Sequence, residues 1–162
     1  GETFGMLVNP GRKIPQTSTA VHGISDDMVA DAPPMAVAGQ RFHQFARDAV
    51  LVAHNAPFDM AFMQRWAKGA DARWDNPVMD TVLLSAVLFG GCAEHTLDAI
   101  ADRLSVTIPA VVRHTGLGDA YATAAVLLKM LPMLEARGFS TFGEALHEMQ
   151  KHTRILPDLN TA

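Results

Sequence analysis

Apolar residues occur along this chain both in a continuous run and at helical spacing, and together these patterns predict alternating strands and helices. Residues 49–54 form a nearly continuous apolar run, which is typical of a buried strand in a parallel sheet. Residues 35–48 and 57–68 carry apolar side chains at helical spacing and predict a helix on each side of that strand. The longest predicted helix, residues 117–137, is apolar on most of its faces. This alternation predicts an α/β domain with a small sheet.

Shorter signals complete the predicted order of elements. Residues 3–8 predict a first short strand, and a turn signal then leads into a loop over residues 12–23. Residues 78–79 predict a brief strand, and residues 81–89 and 97–104 predict helices. The aspartate that precedes the helix over residues 81–89 is interpreted as its N-terminal cap.

The end of the chain carries one more helix signal. Thr141 and Glu144 have the spacing of a capping box and predict the start of a last helix. We predict one domain over residues 1–150 and a flexible tail over residues 151–162. The total length of 162 residues fits one domain, and 49% apolar residues suffice for a packed core.

Composition and charge narrow the class of protein. Cys92 is the single cysteine, so no disulfide forms within the chain and a reducing, cytoplasmic location is expected. The net charge of −4 argues against binding nucleic acid through bulk positive charge. It leaves room for an enzyme that holds a few nucleotides around a metal ion. No apolar run approaches the roughly 18 residues of a membrane span, so no membrane contact is expected from this segment.

Two stretches carry residues suited to catalysis. Asp59 closely follows the predicted strand, and functional residues of α/β folds gather at the carboxyl ends of strands. His114 stands five residues before Asp119, in a glycine-containing loop that opens the longest helix. Carboxylates that bind Mg²⁺ or Mn²⁺, with a histidine that deprotonates water, are the parts of two-metal phosphodiester hydrolysis. The alternative role for Asp59 is a charge that the helix dipole favours.

The order of these residues resembles a known family. The stretch HNAPFD that ends at Asp59, followed by His114 and Asp119, is similar to the second and third motifs of the DnaQ-like DEDDh 3′–5′ exonucleases. This family includes the proofreading epsilon subunit of bacterial DNA polymerase III. The segments VHGISD and LDAIADRL resemble two further family segments, and the resemblance extends over residues 3–145.

The resemblance implies a fold, a reaction and roles for residues. The implied fold is α/β of the RNase H-like type, with three layers and a small mixed sheet. The implied reaction releases mononucleotides from DNA 3′ ends with two divalent metal ions, Mg²⁺ or Mn²⁺. Asp59 and Asp119 would bind metal, and His114 would be the general base that activates water. The residues expected to contact substrate are His22, Asn55, Phe58 and Arg113, although a core position is an equal alternative for Phe58.

One part of the family pattern has no match in these residues. The first motif, Asp-x-Glu, supplies two further metal-binding acids from the first strand, and it is expected upstream of Gly1. Two carboxylates hold two dications poorly, so the isolated chain is predicted to be a weak or inactive nuclease that binds one metal at most. The sheet would lack its first strand, and strand exchange in a homodimer is one way to replace it.

Two alternative functions stay open from the sequence. A module of the same fold that binds nucleic acid or protein without catalysis would keep the same core. An exoribonuclease that trims RNA would use the same motifs. An Asp-x-Glu motif upstream would favour the catalytic interpretation.

Overall fold

The computed structural model describes residues 1–67, 73–109 and 115–156, and its core is built around one fully buried helix. That helix, α5, spans Thr81–Phe89 and has apolar side chains on every side. A helix that is apolar all round is stable only when other elements surround it. Leu84 is completely buried and Leu88 nearly so. The helix ends where Gly90 adopts a positive φ of 86°, a conformation that glycine reaches without strain.

Two parallel strands lie beside this helix and form the sheet of the described residues. Strand β1 spans Leu51–Ala53 and pairs with β2, Val78–Asp80, so that Val52 faces Met79 and Ala53 faces Asp80. Parallel neighbours need a long crossover, and helix α4, Ala56–Ala67, lies within it. Both strands were predicted; the sheet they form is parallel, and no antiparallel strand joins it within the described ranges.

The longest helix, α7, spans Gly116–Ala136 and packs against α5, α6 and β1, where α6 is Leu97–Arg103. Its inner face carries Val126 and Met130, both completely buried. By length and composition alone, α7 also meets the criterion for a helix that could cross a membrane. The core helix of a water-soluble domain can meet the same criterion; α7 packs on α5, and 33% of the tested stretch is buried.

The other elements flank this centre. In chain order they are α1 (Gln16–His22), α2 (Asp26–Val29), α3 (Met35–Ala46), α8 (Phe142–Met149) and a 3-10 helix (Gln150–Ile155). The capping box predicted for α8 is confirmed. The Thr141 hydroxyl accepts a hydrogen bond from the Glu144 N–H, and the Glu144 carboxylate accepts one from the Thr141 N–H.

Two predictions about the first residues of the chain are wrong. Residues 3–8 form no strand; an isolated bridge between Asn9 and Pro34 follows them, and the Phe4 ring packs on α3 instead. The predicted loop over residues 12–23 contains α1. The 3-10 helix at the start of the predicted tail packs on α5 and α8, and its Ile155 packs against the core. Residues 157–162 lie outside the described residues.

Candidate active site

The turn that follows β1 is held by Asp80 and Thr81, the residues at which β2 ends and α5 begins. Asn55 has a positive φ of 65°, and α4 begins at the next residue, Ala56. The backbone N–H groups of Asn55 and Ala56 donate to the Asp80 carboxylate, with N···O distances of 3.2 and 2.8 Å. The His54 Nδ1 atom lies 3.0 Å from the Thr81 hydroxyl oxygen. The end of β1 and the start of α5 therefore form one hydrogen-bonded unit.

Asp59 lies in the first turn of α4, directly above this turn. Burial of the carboxyl group against its surroundings raises the pKa of Asp59, and the nearby Asp80 carboxylate adds to the rise. Both causes disfavour the ionised form of Asp59: it is less well solvated than in water, and the negative charge of Asp80 repels it. A bound cation would offset this repulsion.

Asp119 enters the same region from a different element. It lies in the first turn of α7, where Thr115 caps the helix by accepting from the Gly118 N–H at 3.1 Å. The Asp119 carbonyl accepts a hydrogen bond of 2.8 Å from the Thr123 hydroxyl one turn later. The start of α7 is thus fixed on both sides of Asp119.

These elements enclose a cleft of about 610 Å³. Its polar part contains His54, Asn55, Asp59 and Asp119, and Phe58 projects beside them with 65% of its surface exposed. Its apolar part is lined by Val52 and Ile108, and by the α7 side chains Ala120, Ala124 and Leu127. A smaller groove of about 190 Å³ between residues 4–8, α3 and α4 has mostly apolar walls and no carboxylate among them.

The structure brings four of the candidate residues predicted from the sequence together in this cleft. Asp59, Asp119, Asn55 and Phe58 all line the cleft, and the exposed ring of Phe58 shows that the alternative of a core position is wrong. His22 is not among the described residues that line it; it ends α1, and its Nδ1 accepts from the Ile24 N–H at 3.0 Å. The candidates at positions 113 and 114, Arg113 and His114, lie outside the described residues.

Three lining residues were missed by sequence reasoning. His54 belongs to the HNAPFD stretch but was given no role, and burial lowers its pKa while the charges of Asp80 and Asp119 oppose that shift. Thr96 and Asp98 line the cleft from the start of α6. The LDAIADRL segment was recognised as helical, but nothing in its sequence indicates that its first turn faces Asp59 and Asp119.

The donor groups in the cleft suit a hard cation only in part. Carboxylate oxygens are the ligands that Mg²⁺ and Mn²⁺ prefer, and Asp59 and Asp119 supply them. Within the described ranges, no group of three histidine, cysteine or acidic side chains is close enough together to hold a metal ion. Beside these carboxylates, the Asn55 Oδ1 atom is buried without a hydrogen-bond partner.

Comparison with known proteins identifies the family. Residues 1–127 match the family model described as exonuclease, of the RNase T type. The chain belongs to this exonuclease family. It is 58% identical over 160 residues to a DNA polymerase III subunit epsilon-like protein of Rhodobacter capsulatus; the match covers 99% of the chain and 23% of that relative. It is 36% identical over 159 residues to a PolC-type DNA polymerase III of Caldanaerobacter subterraneus, with 96% of the chain and 11% of the relative covered.

The fold is shared with a solved exonuclease. The structure of exonuclease X in complex with 5′ overhanging duplex DNA superposes with a TM-score of 0.64 and 24% identity, covering 88% of this chain and 78% of that one. This similarity confirms the RNase H-like fold predicted from the motifs. The chain spans about a quarter or less of the length of these polymerase relatives, so it corresponds to one exonuclease domain within much longer proteins.

Proposed function

We propose that this chain is the nuclease domain of a metal-dependent 3′–5′ exonuclease that releases mononucleotides from DNA 3′ ends. The observation that carries the proposal is the meeting of Asp59 and Asp119 in one cleft. Each carboxylate stands in the first turn of its helix, and α4 and α7 are separated in the chain by two helices and a strand. Residues that converge from distant segments onto one cleft are the usual arrangement of a catalytic site.

Each residue contributes a specific part of the reaction. Asp59 and Asp119 hold carboxylate oxygens toward the cleft, where they would bind Mg²⁺ or Mn²⁺. The metal ions, when bound, stabilise the charge that develops on the phosphate and lower the pKa of water. His114 removes the proton from the attacking water, and Arg113 contacts a phosphate oxygen. The exposed ring of Phe58 and the side chain of Asn55 contact the terminal nucleotide from the cleft. The contact proposed for His22 rests on its motif, because His22 lies at the end of α1 and does not line the described cleft.

The carboxylates of this chain do not complete a site for two cations. Two dications near each other repel, and each needs several oxygen ligands. We propose that an Asp-x-Glu motif in a strand upstream of Gly1 in the longer protein supplies the remaining acids. Without that motif, this chain is a weak or inactive nuclease that binds at most one metal ion. An isolated copy is expected to recruit a second copy by strand exchange, because β1 pairs with a neighbour on one side only within the described part of the sheet.

The substrate and setting of the domain follow from the same features. The net charge of −4 favours local contact with a few terminal nucleotides over binding along a duplex. DNA is favoured over RNA by the relatives, whose names are those of DNA polymerase subunits, and these names also favour a polymerase as a partner. We place the protein in the cytoplasm, in agreement with its single cysteine, and propose no membrane contact for this segment.

The specific alternative is a noncatalytic module of the same fold. It is favoured by one observation, the lack of any three-residue metal-binding group among the described residues. Such a module would bind nucleic acid or a partner protein in the same cleft without hydrolysing it.

Polarity and substrate class are tested with end-labelled oligonucleotides. The full-length protein, meaning this chain together with the upstream segment proposed to carry Asp-x-Glu, is incubated with Mn²⁺ and single-stranded DNA that carries its label at the 3′ or the 5′ end. An RNA of the same sequence is tested beside it. A 3′–5′ DNA exonuclease releases the 3′ label at once as a mononucleotide and shortens the 5′-labelled strand stepwise. Immediate release of the 5′ label, or digestion of RNA alone, would contradict the proposal, and binding without digestion would favour the noncatalytic module.

A further inference from the structure

The Asp80 carboxylate makes more hydrogen bonds than a helix cap requires. It is 3% exposed and accepts from three backbone N–H groups, those of Asn55, Ala56 and Val82, at 3.2, 2.8 and 2.8 Å. The bond from Val82 caps α5, which is the role predicted from the sequence. The other two bonds cross to the turn after β1, and a cap has no need of them.

The parallel pairing of the two strands explains why one carboxylate serves both places. Ala53 faces Asp80 in the register, so both strands end at the same level and both are followed by a helix. The Asp80 carboxylate therefore lies between the N-termini of α4 and α5. Free N–H groups and the helix dipole at each terminus favour a negative charge there. The next residue adds a second connection, because the Thr81 hydroxyl contacts His54 Nδ1 at 3.0 Å.

The start of α4 determines where Asp59 lies. Ala56 is the first residue of α4, and Asp59 is one turn along the same helix, on the cleft. Asn55 adopts its positive φ of 65° in the turn that Asp80 holds. A change at Asp80 would therefore move the backbone of residues 54–56 and carry the Asp59 carboxylate with it.

We propose that Asp80 is a positioning residue of the active site: its buried carboxylate fixes the turn after β1 and so places Asp59 for metal binding. This inference rests on the proposed function. Asp80 touches neither substrate nor metal in this scheme, and it acts through the backbone of Asn55 and Ala56. The role differs from that of a cap, which would stabilise α5 without affecting the cleft.

Asp80→Asn separates the two roles. Asparagine caps a helix about as well as aspartate, so the bond to Val82 is kept. Its Nδ2 donor would stand in place of Oδ2 and meet the Ala56 N–H donor, so the shorter of the two bonds to the turn is lost, while Oδ1 can still accept from Asn55. The matched control is Thr141→Ala, which removes the cap of α8 at a site that does not line the cleft. Asp80→Ser is the second variant, since serine also caps but cannot bridge both helices.

The test uses the full-length protein and three measurements. In Mn²⁺-dependent hydrolysis of single-stranded DNA, Asp80→Asn is expected to lower kcat by roughly 10–100-fold, as the loss of an outer-shell partner of a metal site does. The KM for DNA should change by less than about threefold. Mn²⁺ affinity should fall with kcat. Thr141→Ala should keep both at the wild-type level while its thermal stability falls. If Asp80→Asn fails to fold, Asp80→Ser takes its place.

The outcomes separate failure of the inference from failure of the proposed function. A folded Asp80→Asn protein with wild-type kcat and Mn²⁺ affinity would overturn the positioning role and leave the nuclease assignment intact. If the wild type has no nuclease activity with any divalent metal, the proposed function fails. The backbone amide NMR signals of residues 54–59 then decide the positioning role: it holds if they shift in Asp80→Asn and not in Thr141→Ala, and it is wrong if they do not move.

Discussion

Asp59 and Asp119 line one cleft from the first turns of α4 and α7, two helices that are not neighbours in the chain. The burial of Asp59 and the charge of Asp80 raise the Asp59 pKa, so this carboxylate is less stable when ionised than one in water. A cation between Asp59 and Asp119 would reverse that penalty. The part of the penalty that comes from the negative charge of Asp80 is therefore the part that a cation offsets.

The first prediction concerns metal affinity. Asp59→Asn and Asp119→Asn each remove one negative charge from the cleft and keep the size of the side chain. We expect each to weaken Mn²⁺ binding to the full-length protein by more than the roughly 10–100-fold that loss of an outer-shell partner costs. Isothermal titration calorimetry measures the affinities, and Asp48→Asn, an exposed residue away from the cleft, is the control. Equal affinity in all four proteins would place the metal elsewhere.

The second prediction concerns the stability of the metal-free protein. The folded-state pKa of Asp59 lies above the ordinary value of about 3.9, so the ionised carboxylate lowers stability wherever the pH exceeds the folded-state pKa. That loss disappears as the pH falls below the unfolded-state value. Asp59→Asn should therefore raise the free energy of unfolding at neutral pH, by less than about 1 kcal/mol because the residue is exposed and solvent screens its charge.

Thermal unfolding in the presence of a chelator tests this sign. The melting temperature of Asp59→Asn should exceed that of the wild type near pH 7, and the two should converge near pH 3, on the order of one unit below the ordinary aspartate pKa. A variant that is less stable than the wild type at neutral pH would show that the Asp59 carboxylate is a structural group.

The third prediction concerns Arg137, which closes the C-terminal end of α5. Its two terminal nitrogens donate to the carbonyl oxygens of Val87 and Leu88 at 2.7 and 2.5 Å. Arg137→Ala leaves these carbonyls without a charged donor and should lower the free energy of unfolding by about 1.5–3 kcal/mol. Arg137→Lys should recover only part of this, because an ammonium does not match the fork of two carbonyls.

Urea unfolding measures the free energy of unfolding of the Arg137 variants and of a control variant at an exposed arginine. Arg41→Ala, on the exposed side of α3, should change stability by no more than about 0.5 kcal/mol. Similar losses for Arg137→Ala and Arg41→Ala would mean that the bonds to α5 contribute no net stability.

The fourth prediction concerns the contact between Thr81 and His54. Thr81 is completely buried, and its hydroxyl lies 3.0 Å from His54 Nδ1. Thr81→Val keeps the shape of the side chain but removes the hydroxyl, and we expect a loss of about 1–3 kcal/mol from the unpaired nitrogen. Thr81→Ser keeps the hydroxyl and loses a methyl group, at about 1 kcal/mol.

Nitrogen NMR of the His54 ring distinguishes these two variants directly. The Nδ1 signal should move in Thr81→Val and stay near its wild-type position in Thr81→Ser. If Thr81→Ser is the more destabilised protein and the ring signals are unchanged in both, packing of the methyl group outweighs the hydrogen bond.

Local signals in the sequence were sufficient for most helices. The capping box at Thr141 and Glu144 and the apolar run of α5 each encode a start, an end or a burial pattern within a few residues. The strand predicted over residues 3–8 failed for the opposite reason. A strand is stable only when it pairs with another strand, and within the described residues the nearest pairing is an isolated bridge between Asn9, just past this segment, and Pro34.

The candidate site shows the same division between local and distant information. Asp59 and Asp119 were found because their motifs are short and contiguous, and both line the cleft. The second role of Asp80 was out of reach, because it depends on the register that sets Ala53 opposite Asp80. His54, Thr96 and Asp98 were missed for the same reason, since their place in the cleft follows from the packing of separate elements.

The central claim is that the cleft between Asp59 and Asp119 hydrolyses DNA with the help of metal ions. The most direct measurement is digestion of 3′-labelled single-stranded DNA by the full-length protein with Mn²⁺, beside its Asp119→Asn and Asp48→Asn variants. We predict release of labelled mononucleotide by the wild type and by Asp48→Asn, and none above background by Asp119→Asn or after addition of a chelator. Digestion by Asp119→Asn at the wild-type rate would contradict the claim.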